Sequence, residues 1–177
     1  TGTVSMTKTG GTATFMDNVN GGGLTINGSG GTLNLGSGLT HNFTGTWTRT
    51  AGTLSGNSST LNLGGSASGT GGTFTAGTGT VNYYGAAQTI AAVTYNNLII
   101  NQSSGSASLN GDVTVNGVLT LTKGGITTGS NKVIIAASGT VSRTSGHIIG
   151  NLQKNVATGS SVSRTFEVGT ASGYDPV

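Results

Sequence analysis

The chain has 177 residues and a formal charge of +3; 6% of its residues are charged and 33% hydrophobic. That balance excludes disorder driven by charge repulsion, because disordered segments combine low hydrophobicity with high net charge. The cations Lys8, Arg49, Lys123, Lys132, Arg143, Lys154 and Arg164 are scattered, so the concentrated basic footprint of a nucleic-acid binder is missing. No stretch has the length and apolarity of a membrane-spanning helix, so neither nucleic acid nor membrane insertion is expected.

In chain order, short apolar-polar-apolar triplets lie next to Gly, Asn or Ser: Leu33-Asn34-Leu35, Leu61-Asn62-Leu63, Val81-Asn82-Tyr83, Val113-Thr114-Val115, Leu119-Thr120-Leu121 and Val133-Ile134-Ile135. Alternation of this kind marks extended strands with one face inward. The triplets recur at a period. Leu33 to Leu54 is 21 residues, Leu54 to Phe74 is 20 and Leu61 to Val81 is 20; further on, Val113 to Val133 is 20, Leu119 to Val141 is 22 and Ile126 to Ile148 is 22. A repeat of 20 to 22 residues holding three short strands predicts an all-β parallel β-helix, a β-solenoid, wound right-handed. With strands about 4.8 Å apart, roughly eight rungs make a rod on the order of 40 Å long.

Composition fits that winding. There are 34 glycines, and the single proline is Pro176, so the ladder keeps its N–H donors. The pairs Asn20-Gly21, Asn27-Gly28, Asn110-Gly111 and Asn116-Gly117 are expected to be positive-φ corners between strands of a rung. Zero cysteines neither require nor exclude an oxidising compartment, since a solenoid is held by its ladder and stacked side chains. No charged segment followed by an apolar run suggests a signal peptide. Both ends read as cut: the first residue is Thr1, and Gly173-Tyr174-Asp175-Pro176-Val177 reads as the start of another strand. The chain is therefore expected to be a piece of a longer polypeptide.

Residues 1–150 are assigned to solenoid rungs. Residues 151–177 depart from the rhythm and are expected to be either a C-terminal cap or the incomplete start of a following β-sandwich-like module. As a cap, Leu152, Val156, Val162, Phe166 and Val168 would shield the open sheet edge from pairing with another chain.

The runs Trp47-Thr48-Arg49-Thr50-Ala51-Gly52-Thr53-Leu54, residues 72–85 from Gly72 to Gly85, Gln88-Thr89-Ile90, Tyr95-Asn96-Asn97-Leu98-Ile99-Ile100 and residues 111–121 from Gly111 to Leu121 carry a resemblance. They resemble the repeats of large secreted or cell-surface adhesin-like proteins of Bacteroidetes-type bacteria associated with type IX secretion. The resemblance spans about Gly22 to Val177 and rests on low-complexity motifs. It implies an extracellular, surface-exposed location and a structural or adhesive role.

Chemistry-bearing residues are sparse. The acids are Asp17, Asp112, Glu167 and Asp175; acid-base work on a sugar needs two of them close together, and the rung offsets place Asp17 and Asp112 well apart. Ser5-Met6-Thr7-Lys8 and Lys8-Thr9-Gly10 match elements of penicillin-recognising enzymes, but those elements come from separate parts of a fold, and here they share one lysine. His41 and His147 lack partners at metal-ligand spacing and are read as surface or turn residues. The Gly-rich turns carry no Asp for a calcium repeat. No catalytic residue, metal ligand or cofactor is therefore assigned, and an enzyme is not expected.

Two surface features remain. Thr44, Thr46, Thr48 and Thr50 share one strand face, with Thr73-x-Thr75, Thr78-x-Thr80 and Thr120-x-Thr122 alike. An ice-binding array needs the pair in every rung, and one period after Thr73-Phe74-Thr75 the chain reads Val93-Thr94-Tyr95; these threonines are read as β-favouring outward residues. Trp47, Tyr83, Tyr84 and Tyr95 are candidate glycan contacts, and adjacent Tyr83 and Tyr84 must point to opposite faces of a strand. The expected function is a structural or adhesive repeat segment, a stalk or fibre-forming scaffold, with end-to-end or lateral self-association and surface glycans as partners. The alternatives are a carbohydrate-binding or polysaccharide-degrading β-helix and a Thr-rich ice-binding solenoid.

Overall fold

A computed structural model describes residues 1–156, 158–159 and 162–177. Among these the chain is all-β, and its parallel strands stack as a β-solenoid of about eight rungs. Each complete rung lays one strand or half-strand on each of three faces. The third face is a seven-stranded parallel sheet in the order Asn20–Gly21, Thr40–Phe43, Thr60–Leu63, Thr80–Tyr83, Asn97–Asn101, Val118–Lys123 and Thr140–Arg143. In the first four rungs the other two faces belong to a six-stranded sheet, Val4–Met6, Thr12–Thr14, Leu24–Asn34, Trp47–Ser55, Ala67–Ser68 and Thr73–Thr75. From the fifth rung an eight-stranded sheet takes over, from Thr89–Ile90 to Gly173–Tyr174.

All six sequence offsets are neighbouring Cα partners in the ladders. Leu33 pairs with Leu54 and Leu54 with Phe74, Leu61 with Val81, Val113 with Val133, Leu119 with Val141 and Ile126 with Ile148. Alternation sends one residue in two inward, and the parallel ladder sets each on its counterpart one rung away. Leu61, Val81, Leu98, Leu119 and Val141 form one such column. Fully buried Leu, Val and Ile side chains each contribute roughly 1.5 to 3 kcal/mol, and here they join into one continuous core.

The four Asn-Gly pairs are not positive-φ corners. Asn20-Gly21 and Asn27-Gly28 lie inside strands, and none of the four glycines has a positive φ. What they require is room: a Cβ on Gly28 would collide with the Lys8 carbonyl oxygen of the preceding rung. Left-handed corners occur elsewhere, as at Asn57 (φ 49) and Gly77 (φ 60), which sit above one another where the Thr78 N–H donates to the Asn57 carbonyl at 2.7 Å.

The three faces do not continue equally. Ala67–Ser68 and Thr73–Thr75 close the six-stranded sheet, Thr89–Ile90 and Thr94–Tyr95 open the eight-stranded one, and only the third face carries its ladder across from the fourth rung to the fifth. The core at this level is aromatic. Trp47 and Phe74 meet edge to face at 5.3 Å, Phe74 and Tyr95 lie 5.9 Å apart, and the Arg49 guanidinium sits 5.6 Å from the Trp47 ring centroid. These rings stand at the level where the first two faces lose their ladder. Side chains bridge the gap: the Thr89 N–H donates to Ser66 Oγ at 3.0 Å, and Gln88 Nε2 donates to the carbonyls of Leu63 at 3.0 Å and Gly65 at 2.6 Å.

At the C-terminal end the strand Ile148–Lys154 pairs with Ile126–Ile135 through Lys154, so the ladder runs past residue 150. Val168–Thr170 adds a further parallel strand and turns back as an antiparallel hairpin with Gly173–Tyr174. Lys154 Nζ reaches Glu167 Oε2 at 2.9 Å and the Thr165 carbonyl at 2.7 Å. Leu152 and Val168 pack against the core. Val156 and Val162 are 47% and 40% exposed.

Candidate functional site

Outward residues of the third face form aligned columns because the ladder there has no register shift over rungs two to four. Thr40, Thr60 and Thr80 are successive partners, and so are Asn20, Asn42, Asn62 and Asn82. Inward neighbours such as Phe43, Leu63 and Tyr83 are completely buried, which fixes the pleat and points the amides out. Each amide then bonds the one before it: Asn42 Nδ2 donates to Asn20 Oδ1 at 2.8 Å, Asn62 Nδ2 to Asn42 Oδ1 at 2.8 Å and Asn82 Nδ2 to Asn62 Oδ1 at 2.9 Å. The ladder stops at Asn82, whose partner in the fifth rung is Ile99, and Asn82 Oδ1 is covered with no donor.

Tyr84 lies one position beyond this ladder. Its N–H donates to the Leu63 carbonyl at 3.1 Å, which places it over Gly64. A Cβ on Gly64 would meet Tyr84 Oη at 2.8 Å; the ring therefore reaches back along the solenoid axis across a residue without a side chain. It is half-buried, leaving part of the ring in solvent. No charged residue stands among Thr40, Asn42, Thr44, Thr60, Asn62, Gly64, Thr80, Asn82 and Tyr84.

The other aromatic candidates are not at the surface. Trp47, Tyr83 and Tyr95 are each 0% exposed. A fully buried ring has no face for a sugar, so these three are core residues and only Tyr84 remains. Trp47 stacks between Leu24 and Ala67 in its column, the small residue beside it making room for the indole.

His41 also departs from its expected surface or turn position. It sits inside the strand Thr40–Phe43, 0% exposed, in the column of Leu61. Its Nδ1 accepts from the Val19 N–H at 3.1 Å and its Nε2 lies 2.7 Å from the Leu35 carbonyl. A carbonyl only accepts, so Nε2 carries the hydrogen and the ring is neutral. Burial outweighs the Leu35 hydrogen bond and pulls its pKa below the ordinary histidine value. Each ring nitrogen already has a backbone partner, leaving none for a metal ion. His147 lies at the C-terminal end, with Nε2 at 2.9 Å from the Thr170 carbonyl.

Two of the acids come near one another at the C-terminal hairpin, where the Asp175 N–H donates to the carbonyl of Val168, the residue after Glu167, at 3.1 Å. Asp112, just before the strand Val113–Val115, accepts from the Lys132 N–H of the next rung at 3.0 Å, and Glu167 pairs with Lys154. Among the described residues no group of three His, Asp or Glu side chains converges to hold a metal, and no helix is long and apolar enough to cross a membrane.

The second face holds a regularity that the sequence reading missed. Thr12, Thr32, Thr53 and Thr73 are successive partners, as are Thr14, Asn34, Ser55 and Thr75. The signal lies in the residues flanking Leu33, Leu54 and Phe74, one period apart: Thr32, Thr53 and Thr73 on one side and Asn34, Ser55 and Thr75 on the other. The array is imperfect, because Asn34 Oδ1 turns aside to accept the Gly36 N–H at 2.8 Å.

At the N-terminal end, Val4, Met6, Ala13, Phe15 and Leu33 line a hollow of about 240 Å³. The fold thus defines a repeat protein of the β-solenoid class. Comparison with family models, with curated proteins and with solved structures yields no match.

Proposed function

We propose that this chain is a structural and adhesive repeat segment, a stalk or fibre-forming scaffold, of an extracellular bacterial surface protein. The observation that carries the reading is the third face, whose ladder joins seven parallel strands with one register shift at Ile100/Asn101 over one continuous core. Such a rod grows by adding rungs and keeps its cross-section, so it suits the projection of whatever lies beyond it. The resemblance of the runs around Trp47–Leu54 and residues 72–85 to secreted adhesin-like repeats adds the surface location. The reading assigns no catalysis.

Electron microscopy and small-angle scattering of the purified chain should give a rod on the order of 40 Å long, and antibody labelling of intact source cells should reach it from outside. A cytoplasmic location, or release of reducing or unsaturated ends from a polysaccharide by the purified chain, would overturn the reading.

A further inference from the structure

We propose that the third face over rungs two to four is a binding strip for a neutral, extended polysaccharide, with Tyr84 as the stacking platform and the Asn42, Asn62 and Asn82 amides and Thr40, Thr60 and Thr80 hydroxyls as its polar partners. The inference rests on the adhesive reading above and names the ligand class for it.

Three features of the strip converge. The first is chemical balance. Asn42, Asn62 and Asn82 each spend one N–H on the amide before and keep a second, and the Asn42 and Asn62 oxygens, engaged once, keep a second lone pair, whereas Asn82 Oδ1 is covered and contributes only through its N–H. Beside them stand threonine hydroxyls that donate and accept. Sugars present the same mixture, and with no charge on the strip neither an acidic glycan nor a nucleic-acid backbone finds a counter-charge.

The second feature is preorganisation. Asn42 and Asn62 are each held by two amide bonds of 2.8 to 2.9 Å, so binding does not have to freeze them; avoiding that ordering cost is the general source of affinity in rigid sites. The third is the ring. Tyr84 crosses Gly64 along the axis and offers an apolar surface next to the polar columns. Sugar-binding sites combine such a surface with a few placed hydrogen-bonding groups.

Geometry sets the direction of the chain. The polar columns repeat once per rung, about 4.8 Å, close to the rise of one sugar residue in an extended β-linked glycan, so a chain lying along the axis meets equivalent partners rung after rung. Ice fits less well. A flat lattice needs a flat array, and the Tyr84 ring rises over the third column, where Thr44 and Gly64 precede it.

The test uses the whole chain and depletion by insoluble cellulose, chitin and a β-1,3-glucan, with alginate as the acidic arm and thermal hysteresis as the ice arm. At least one neutral glycan should bind. Tyr84→Ala should weaken that binding roughly tenfold, Tyr84→Phe should retain it, and Thr60→Ala should weaken it with the fold intact by circular dichroism. Thr120→Ala, on the same face beyond the strip, should bind as the parent does. Absence of binding to every neutral glycan, preference for alginate, or binding unchanged in both Tyr84→Ala and Thr60→Ala overturns the strip. Hysteresis without glycan binding overturns it in favour of ice. Rods that reach the cell surface but bind no glycan would remove the strip and leave the stalk standing.

Discussion

The hydroxyls of Tyr83 and Tyr95 meet at 3.1 Å in the buried core, at the level where two of the three faces lose their ladder. Tyr95 Oη donates to the Ala91 carbonyl at 3.0 Å, and Tyr83 Oη accepts from the Ala91 N–H at 3.2 Å. Each phenol has one hydrogen, so Tyr83 donates to Tyr95 and the three residues close a loop of satisfied bonds.

Burial pushes the Tyr83 pKa up to about 12, and burial beside Tyr83 pushes Tyr95 well above the ordinary phenol value. Raised pKa values stabilise the fold below the unfolded pKa of about 10, and that stability is lost as pH rises through the folded value. Unfolding by denaturant should therefore become easier from about pH 10 upward. Phenolate absorbance should show Tyr83 ionising only near pH 12 or with unfolding, and Tyr95 only well above the ordinary phenol range or with unfolding. Tyr95→Phe, which leaves the Ala91 carbonyl and the Tyr83 hydroxyl without their partner, should cost about 1 to 3 kcal/mol.

His41 gives the opposite pH dependence. Its lowered pKa means that the unfolded chain takes up a proton before the folded one does. Stability is thus full above about pH 6.5 and falls as pH drops below it toward the folded value. The physical reason is local: a proton on Nδ1 would face the Val19 N–H that now donates to it. Melting temperature measured from pH 7.5 to 4.5 should fall, and His41→Leu should flatten that profile while lowering stability at pH 7 by about 1 to 3 kcal/mol for the orphaned Val19 N–H and Leu35 carbonyl.

Asn62 occupies the middle of the amide ladder, donating to Asn42 and accepting from Asn82. Loss of two partly solvated hydrogen bonds in Asn62→Ala should cost about 1 to 2 kcal/mol in chemical denaturation. Asn62→Asp should cost more, because a carboxylate cannot donate to Asn42 Oδ1 and sets two oxygens against each other. Equal stability of both variants with the parent would mean that the ladder is ornamental to the fold.

At the junction between the fourth and fifth rungs only the third face carries its backbone ladder across. Native-state hydrogen exchange should find the amides of residues 67–75 and 89–95 opening before those of 80–83 and 97–101, since local openings follow the weakest hydrogen-bonded boundary. Gln88 is the principal side-chain bridge: besides its bonds to Leu63 and Gly65, its Oε1 accepts from the Gly85 N–H at 2.6 Å and from Gln102 Nε2 at 3.0 Å. Gln88→Leu should cost more than about 2 kcal/mol and should widen the gap in exchange rates between the two halves.

The rung period, the inward residues and the parallel stacking were legible in the sequence, because alternation within a strand and a fixed offset between strands are both local to the residue pattern. Leu61 over Val81 and Val113 over Val133 needed nothing more. The Asn-Gly pairs misled for a related reason: glycine serves a close approach as well as a left-handed corner, and only the neighbouring rung distinguishes the two. Tyr84 emerged as the outward aromatic because Tyr83 completes the inward pattern of Val81, yet the ring's course over Gly64 depends on a residue 20 positions earlier. His41 was misplaced because composition treats a polar residue as outward, whereas its strand neighbours Thr40 and Asn42 leave it the inward position and the Val19 and Leu35 backbones satisfy its nitrogens.

By itself the sequence determined a wound rod of parallel strands, since apolar residues repeated every 20 to 22 positions are buried together only when coil lies upon coil. The tertiary structure alone decided which outward residues align into the amide ladder, which aromatics are swallowed by the core, and where two faces part. Those outcomes depend on corner lengths that vary from rung to rung and on whether side chains as large as Trp47 and Tyr95 fit the space one layer allows, and both are settled by packing across the whole solenoid.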